Sequence, residues 1–179
     1  MTGPADGPGT APEDSVTRDG RASQAASPSV AVLAAAGLVV VIDVLTKAWA
    51  VEALVGEPID LVWTLRLSLV ENTGVAFGAG RGLGPVLAVV AVAVCVVLWR
   101  IRHRFTVVPG PLALGMVLGG AVGNLLDRVL RGAGWGRGAV IDFIDVQFWP
   151  VFNVADIGIS VGVPLLLLAA WRADRQGLM

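Results

Sequence analysis

The stretch VIDFIDVQFWPVFNVAD, Val140 to Asp156, stands directly before the last apolar run of the chain. It places Asp142, Asp145 and Asp156 at the edge of a segment long enough to cross a bilayer. Carboxylates at that depth are costly to desolvate, so they normally face a bundle interior or water and carry a function. Two of them near enough to share a proton would form an acid/base pair, and Asp142 with Asp156 is the pair expected here.

Composition agrees with a lipid solvent. The 179 residues are 55% hydrophobic and 15% charged, with mean hydropathy +0.76, whereas a soluble domain carries about 25% charged residues. A net charge of −1 leaves no nucleic-acid footprint. The single cysteine, Cys95, lies in an apolar run, so neither a disulfide framework nor a thiolate metal site is expected. The single histidine, His103, lies in a basic cluster far from the acids, which argues against Ser/His/Asp and Cys/His catalysis. No metal or other cofactor is expected.

Residues 1–28 are rich in Gly, Pro, Ala, Ser and Thr and read as a disordered tail. They lack the basic start and apolar segment of a secretory signal. The membrane domain is expected over 29–175, with spans at about 30–50, 83–99, 111–130 and 154–171. In the first, Asp43 and Lys47 share a helical face, as an ion pair between helices or as groups that touch a substrate. Between the first two spans, odd positions from Ile59 to Leu69 are apolar and even ones include Asp60, Arg66 and Ser68, a half-buried strand. This β segment, about 56–80, ends in the turn-rich ENTGVAFGAG, where Asn72 on its own reads as a turn residue.

Arg100, Arg102 and Arg104 in the short loop after the second span make that loop cytoplasmic. The third span then runs outward and the fourth returns to Arg172 and Arg175, leaving both termini cytoplasmic. Trp49, Trp99, Trp149 and Trp171 fall near span ends, as an aromatic belt would place them. Gly115, Gly119 and Gly123, four apart, form a ladder on which another helix can pack closely. Asn124 shares a face with Asp127 and Arg128; a bridge from Arg128 to Asp127, or snorkelling, would hold the arginine.

On this topology Asp43, Lys47, Asn124, Asp127, Arg128, Asn153 and Asp156 converge on the outer leaflet, and Asp142 sits on the loop beside them. Scattered structural polar residues would not converge in this way. Asn153 followed three residues later by Asp156 is also a helix-capping pattern, and a capped helix end is a rigid mount for a carboxylate. The helix dipole favours charge on Asp156, so Asp142 is expected to hold the proton. Such a pair hydrolyses a peptide without metal: the ionised acid takes a proton from water and the protonated one donates to the carbonyl oxygen.

The motifs DVLTK (Asp43–Lys47), NTGVAF (Asn72–Phe77), GGAVGNLLDR (Gly119–Arg128), VIDF (Val140–Phe143) and FNVAD (Phe152–Asp156), in this order, resemble those of the lipoprotein signal peptidases, or signal peptidase II. The resemblance runs from about Val30 to Arg172. It implies an all-α integral membrane protein of the bacterial inner membrane, a four-helix bundle with a small extracytoplasmic β-cradle and a mobile loop that embrace the substrate. The implied reaction is removal of the signal peptide from diacylglyceryl-modified prolipoproteins by cleavage just before the lipidated cysteine, with inhibition by globomycin. Asp142 and Asp156 match the family's catalytic dyad. Asn72, Gly74, Asn124, Arg128 and Asn153 match positions that order the site or hold substrate, and Asp43 and Lys47 match a supporting polar pair. Prolipoproteins and membrane lipids are the implied partners, with no obligate protein partner. The chain departs from the pattern at Val44, where the family often has Gln, in a longer run between Arg128 and Asp142, and in its N-terminal extension.

Asp127 and Asp145 are the rival acids. Asp127 is expected to be held ionised by Arg128, and Asp145 has no motif of its own. Other classes fit less well. A presenilin-like peptidase needs its acids within helices, a lipid-headgroup transferase needs clustered acids for a divalent metal, and a helical scaffold would tolerate Asn at position 142.

Overall fold

A computed structural model describes Gly3 and residues 27–74 and 82–175. Of the expected tail, all but Gly3, Ser27 and Pro28 lies outside the described residues, as do the loop residues 75–81. Among the described residues four helices are long and apolar enough to cross a membrane: α1 (Pro28–Ala53), α2 (Gly84–Ile101), α3 (Gly110–Leu130) and α4 (Val154–Arg175). A short 3-10 turn, Arg102–Arg104, follows α2. Helix α1 begins earlier than its apolar run, because Ser27 accepts from Val30 N and Pro28 occupies the first turn, where its missing N–H costs nothing.

Helix α3 is the axis of the bundle. Over its most apolar window 56% of residues are buried, against 11% for α1, 11% for α2 and 22% for α4, so the other three present most of their surface outward. The glycine ladder explains the close approach. A Cβ at Gly115 would lie 2.5 Å from Val32 O and one at Gly119 2.6 Å from Ala36 O, both on α1. Gly120 meets Ala155 and Ile159 of α4 in the same way. Val32, Phe105, Leu114 and Leu118 form the core at one end of the bundle, and Ala50, Leu54 and Phe143 at the other.

The expected single strand is a hairpin instead. Strands β1 (Ile59–Val62) and β2 (Leu65–Asn72) pair antiparallel through a turn at Trp63 and Thr64, with Trp63 at φ 53°. A bulge between Asp60 and Val62 shifts the register, so Ile59 faces Leu67 and Asp60 faces Arg66. That extra residue keeps odd opposite odd, which is why the alternation reads unbroken across a turn. β1 is exposed throughout rather than half-buried.

Asp142 is not on a loop. It lies in β3 (Val140–Asp145), which pairs antiparallel with β2 and completes a sheet of order β1-β2-β3. Five of the six β3 residues are buried, so the strand shows none of the polar alternation by which strands are recognised. Phe152 bridges to Ile144, folding the segment after β3 back beside it and delivering the chain to α4.

Candidate active site

Helix α4 starts with a reciprocal cap. Asn153 Oδ1 accepts from Asp156 N at 3.0 Å, and Asp156 Oδ2 accepts from Asn153 N at 3.2 Å. Ala155 N, another donor left open by the first turn, is met from across the bundle by Asp43 Oδ1 at 2.8 Å. The start of α4 is thereby fixed to α1 as well as to its own loop.

From this cap a chain of two amides joins the acids. Asn153 Nδ2 donates to Asp142 Oδ1 at 2.6 Å and to Asn124 Oδ1 at 3.1 Å, while Asn124 Nδ2 donates to Asp156 Oδ1 at 2.8 Å. The other oxygen of Asp142 accepts from Asn72 Nδ2 at 3.0 Å. Asn72 lies diagonally across the β2–β3 pair, two residues beyond Val70, the Cα partner of Asp142. Its Oδ1 also accepts from Gly74 N at 3.0 Å. It is thus the turn residue that its local sequence indicates and a direct neighbour of the acid.

Arg128 does not bridge to Asp127, contrary to expectation. It donates to Asn124 O at 3.2 Å and to Gly74 O at 3.3 Å, tying α3 to the turn after β2. Asp127 is held instead by Lys47 at 2.8 Å and Arg131 at 2.6 Å, and it accepts from Ile141 N at 3.2 Å, anchoring β3 one residue before Asp142. Asp145 binds Arg66 at 2.7 Å and accepts from Gln147 N. Burial pushes its carboxyl up, but Arg66 and the Gln147 N–H outweigh that and hold it below the ordinary value.

Lys47 is 1% and Asp43 0% exposed, their charged atoms 2.8 Å apart. Lys47 also donates to Asn124 Oδ1 at 3.0 Å. Neither lines the cavity beside the acids, so the geometry is that of an ion pair bracing the bundle behind the site.

The cavity itself measures about 590 Å³ and is lined by Asn72, Gly74, Asn124, Arg128, Asp142 and Asp156. Its remaining wall is largely apolar, from Phe148, Trp149, Pro150, Val151 and Phe152 to Ile157. That wall was not anticipated as part of the site, although the apolar run FWPVF between the two acid motifs was its signal. Burial pushes the Asp142 carboxyl up; the Asn72 and Asn153 amides oppose this, the Asp156 carboxyl adds to it, and the net value is about 6. Among the described residues no group of His, Cys, Asp and Glu is arranged to hold a metal ion. The arrangement can hold a water and a carbonyl between two acids at one polar end of an otherwise greasy cleft.

The family model described as Signal peptidase (SPase) II matches residues 35–172. The chain belongs to the signal peptidase II family. A protein named Lipoprotein signal peptidase from Rhodococcus jostii (strain RHA1) is 44% identical over 135 residues, 74% of this chain and 68% of that protein. One of the same name from Mycobacterium tuberculosis (strain ATCC 25618 / H37Rv) is 41% identical over 138 residues, 76% of this chain and 68% of that protein. A bacterial membrane enzyme solved by the in meso method at 2.3 Å has a TM-score of 0.66 and 25% identity, covering 80% of this chain and 88% of its own. A second, at 1.9 Å, has a TM-score of 0.64 and 26% identity over 78% of this chain and 91% of its own. As a signal peptidase II, the protein is a membrane-embedded endopeptidase of aspartic type.

Proposed function

We propose that this signal peptidase II removes the signal peptide from diacylglyceryl-modified prolipoproteins, cleaving just before the lipidated cysteine, with Asp142 and Asp156 as the catalytic dyad. The observation that carries this is the pair of acids, one from β3 and one from the first turn of α4, joined through Asn153 and Asn124 and lining one cavity. The carboxylate of Asp156 takes a proton from water, whose oxygen attacks the scissile carbonyl carbon. Asp142 gives its proton to the carbonyl oxygen, forming a gem-diol. On collapse the C–N bond breaks, Asp156 passes its proton to the leaving nitrogen, and Asp142 recovers one from a diol hydroxyl.

The value of about 6 for Asp142 supports its role as the acid of the pair. Asn72 and Asn153 orient it, and Asn124 orients Asp156. Arg128, fixed to Gly74 O and Asn124 O, borders the cleft where a substrate backbone would lie. The apolar wall from Phe148 to Phe152 suits the diacylglyceryl group, and the relatives' name, lipoprotein signal peptidase, accords with such a substrate. Arg100, Arg102, Arg104, Arg172 and Arg175 lie at the other end of the bundle, which supports an inner-membrane orientation with both termini cytoplasmic and the dyad at the outer face.

The test is cleavage of a lipidated prolipoprotein by purified enzyme carrying Asp142→Asn or Asp156→Asn. Each should lose turnover while keeping the thermal unfolding midpoint of a folded protein; turnover retained by either variant refutes the dyad.

A further inference from the structure

At the opposite end of the bundle, where α3 begins and α4 finishes, lies a second cavity of about 350 Å³. Arg172 stands sixteen positions after Asp156 in the sequence, about 24 Å along α4. The cavity has an apolar floor, Phe105 at 8% exposure with Ala169 and Ala173, and a rim bearing Arg104 and Arg172. Val107 and Val108, 69% and 71% exposed, form its outer lip.

Two neighbouring arginines are already engaged. Arg102 stacks over Trp99 at 4.2 Å and donates to Trp99 O at 2.8 Å, and Arg175 stacks over Trp171 at 4.3 Å. Among the described residues Arg104 and Arg172 make no ion pair and no side-chain hydrogen bond. The start of α3 adds to the positive potential, since its first turn has no acidic residue and its cap no side-chain acceptor. The nearest acid on α4, Asp174, is two residues from Arg172 and so projects to the far side of the helix.

A cleft that is cationic at the rim, greasy at the floor and open beside lipid-facing helices matches one kind of occupant. We propose that it binds the headgroup of an anionic phospholipid, Arg104 and Arg172 holding the phosphodiester oxygens while an acyl chain lies against Val107 and Val108. A free phosphate would offer the same oxygens but nothing for the floor and lip. The site is remote from the proposed dyad, so loss of lipid binding and loss of cleavage are separate outcomes.

Native mass spectrometry of the full chain in detergent, with phosphatidylglycerol, phosphatidylcholine or inorganic phosphate added, tests this. The wild type should retain phosphatidylglycerol in preference to phosphatidylcholine. Arg104→Gln with Arg172→Gln should weaken that retention about thirtyfold, with an unchanged thermal midpoint in the absence of lipid. Arg137→Gln, at the other end of the molecule, should leave retention intact. Equal retention of the two lipids, no loss in the double variant, or displacement of the lipid by inorganic phosphate at matched concentration would overturn the proposal.

Discussion

The ammonium of Lys47 stands 3.0 Å from Oδ1 of Asn124, and this contact settles which way the Asn124 amide faces. With Oδ1 held by a cation, Nδ2 is left to donate to Asp156 at 2.8 Å. A residue outside the cavity therefore determines how an acid inside it is oriented.

Lys47→Met should be severely disruptive. It leaves Asp43 and Asp127, 0% and 6% exposed, without their shared cation, and breaking a buried pair from one side costs about 3–5 kcal/mol. Thermal unfolding in detergent should show a large drop in midpoint. A midpoint within a degree or two of wild type would mean that the ion cluster does not brace the bundle.

Titration of Asp142 should be visible in stability as well as in rate. Its folded value, about 6, lies above the ordinary 3.8. Below 3.8 the acid is protonated in both states and its contribution is complete. Between 3.8 and about 6 the unfolded chain ionises while the folded one resists, so stability falls as pH rises, and above about 6 the contribution is gone. The Asp142→Asn variant should lack this fall. Parallel curves for wild type and variant from pH 3.5 to 7, a window spanning both values, would contradict the assignment.

The Asn72 amide lowers the Asp142 value. Its removal in Asn72→Ala should move the alkaline limb of kcat/KM, which reports the free enzyme, to higher pH, alongside any loss of rate. A limb displaced to lower pH would show that the amide acts in some other way.

The proposed dyad and its rival acids should separate cleanly. Asp145→Asn loses a bridge to Arg66, whose side chain is 38% exposed, a contact of about 1 kcal/mol or less. Turnover should remain within a few-fold of wild type. Inactivation by Asp145→Asn, with the fold preserved, would bring that residue back as a candidate.

Glycines of the bundle should divide by what faces them. Gly119→Ala sets a methyl 2.6 Å from Ala36 O, and overpacking of this kind costs about 1–3 kcal/mol. Gly37→Ala meets nothing within 4 Å and should gain up to about 1 kcal/mol from helix propensity. Midpoints of the two variants relative to wild type give the comparison; equal shifts would mean that the small residues do not set the α1–α3 approach.

What could be read from the chain was what is local or periodic. The spans follow from apolar length, and the Asn153–Asp156 cap from a spacing of three. Strand β3 could not be read, because a strand covered on both faces has no alternation, and its acids look like part of a loop. The hairpin was hidden by a bulge that preserved parity across its turn. The role of Asp127 was misread for another reason. Its adjacent arginine was the obvious partner, yet its cations are Arg131, one helical turn on, and Lys47, eighty residues away. The first of these was within reach of helical spacing, and the second needed the bundle.

Asn153 both begins α4 and grips Asp142, and the backbone of that same residue restrains Asp156. Winding the first coil of the last helix and bringing the two acids into register are consequently a single event. A variant that loosens that coil should fray the outer end of the last span and misalign the two acids in the same step.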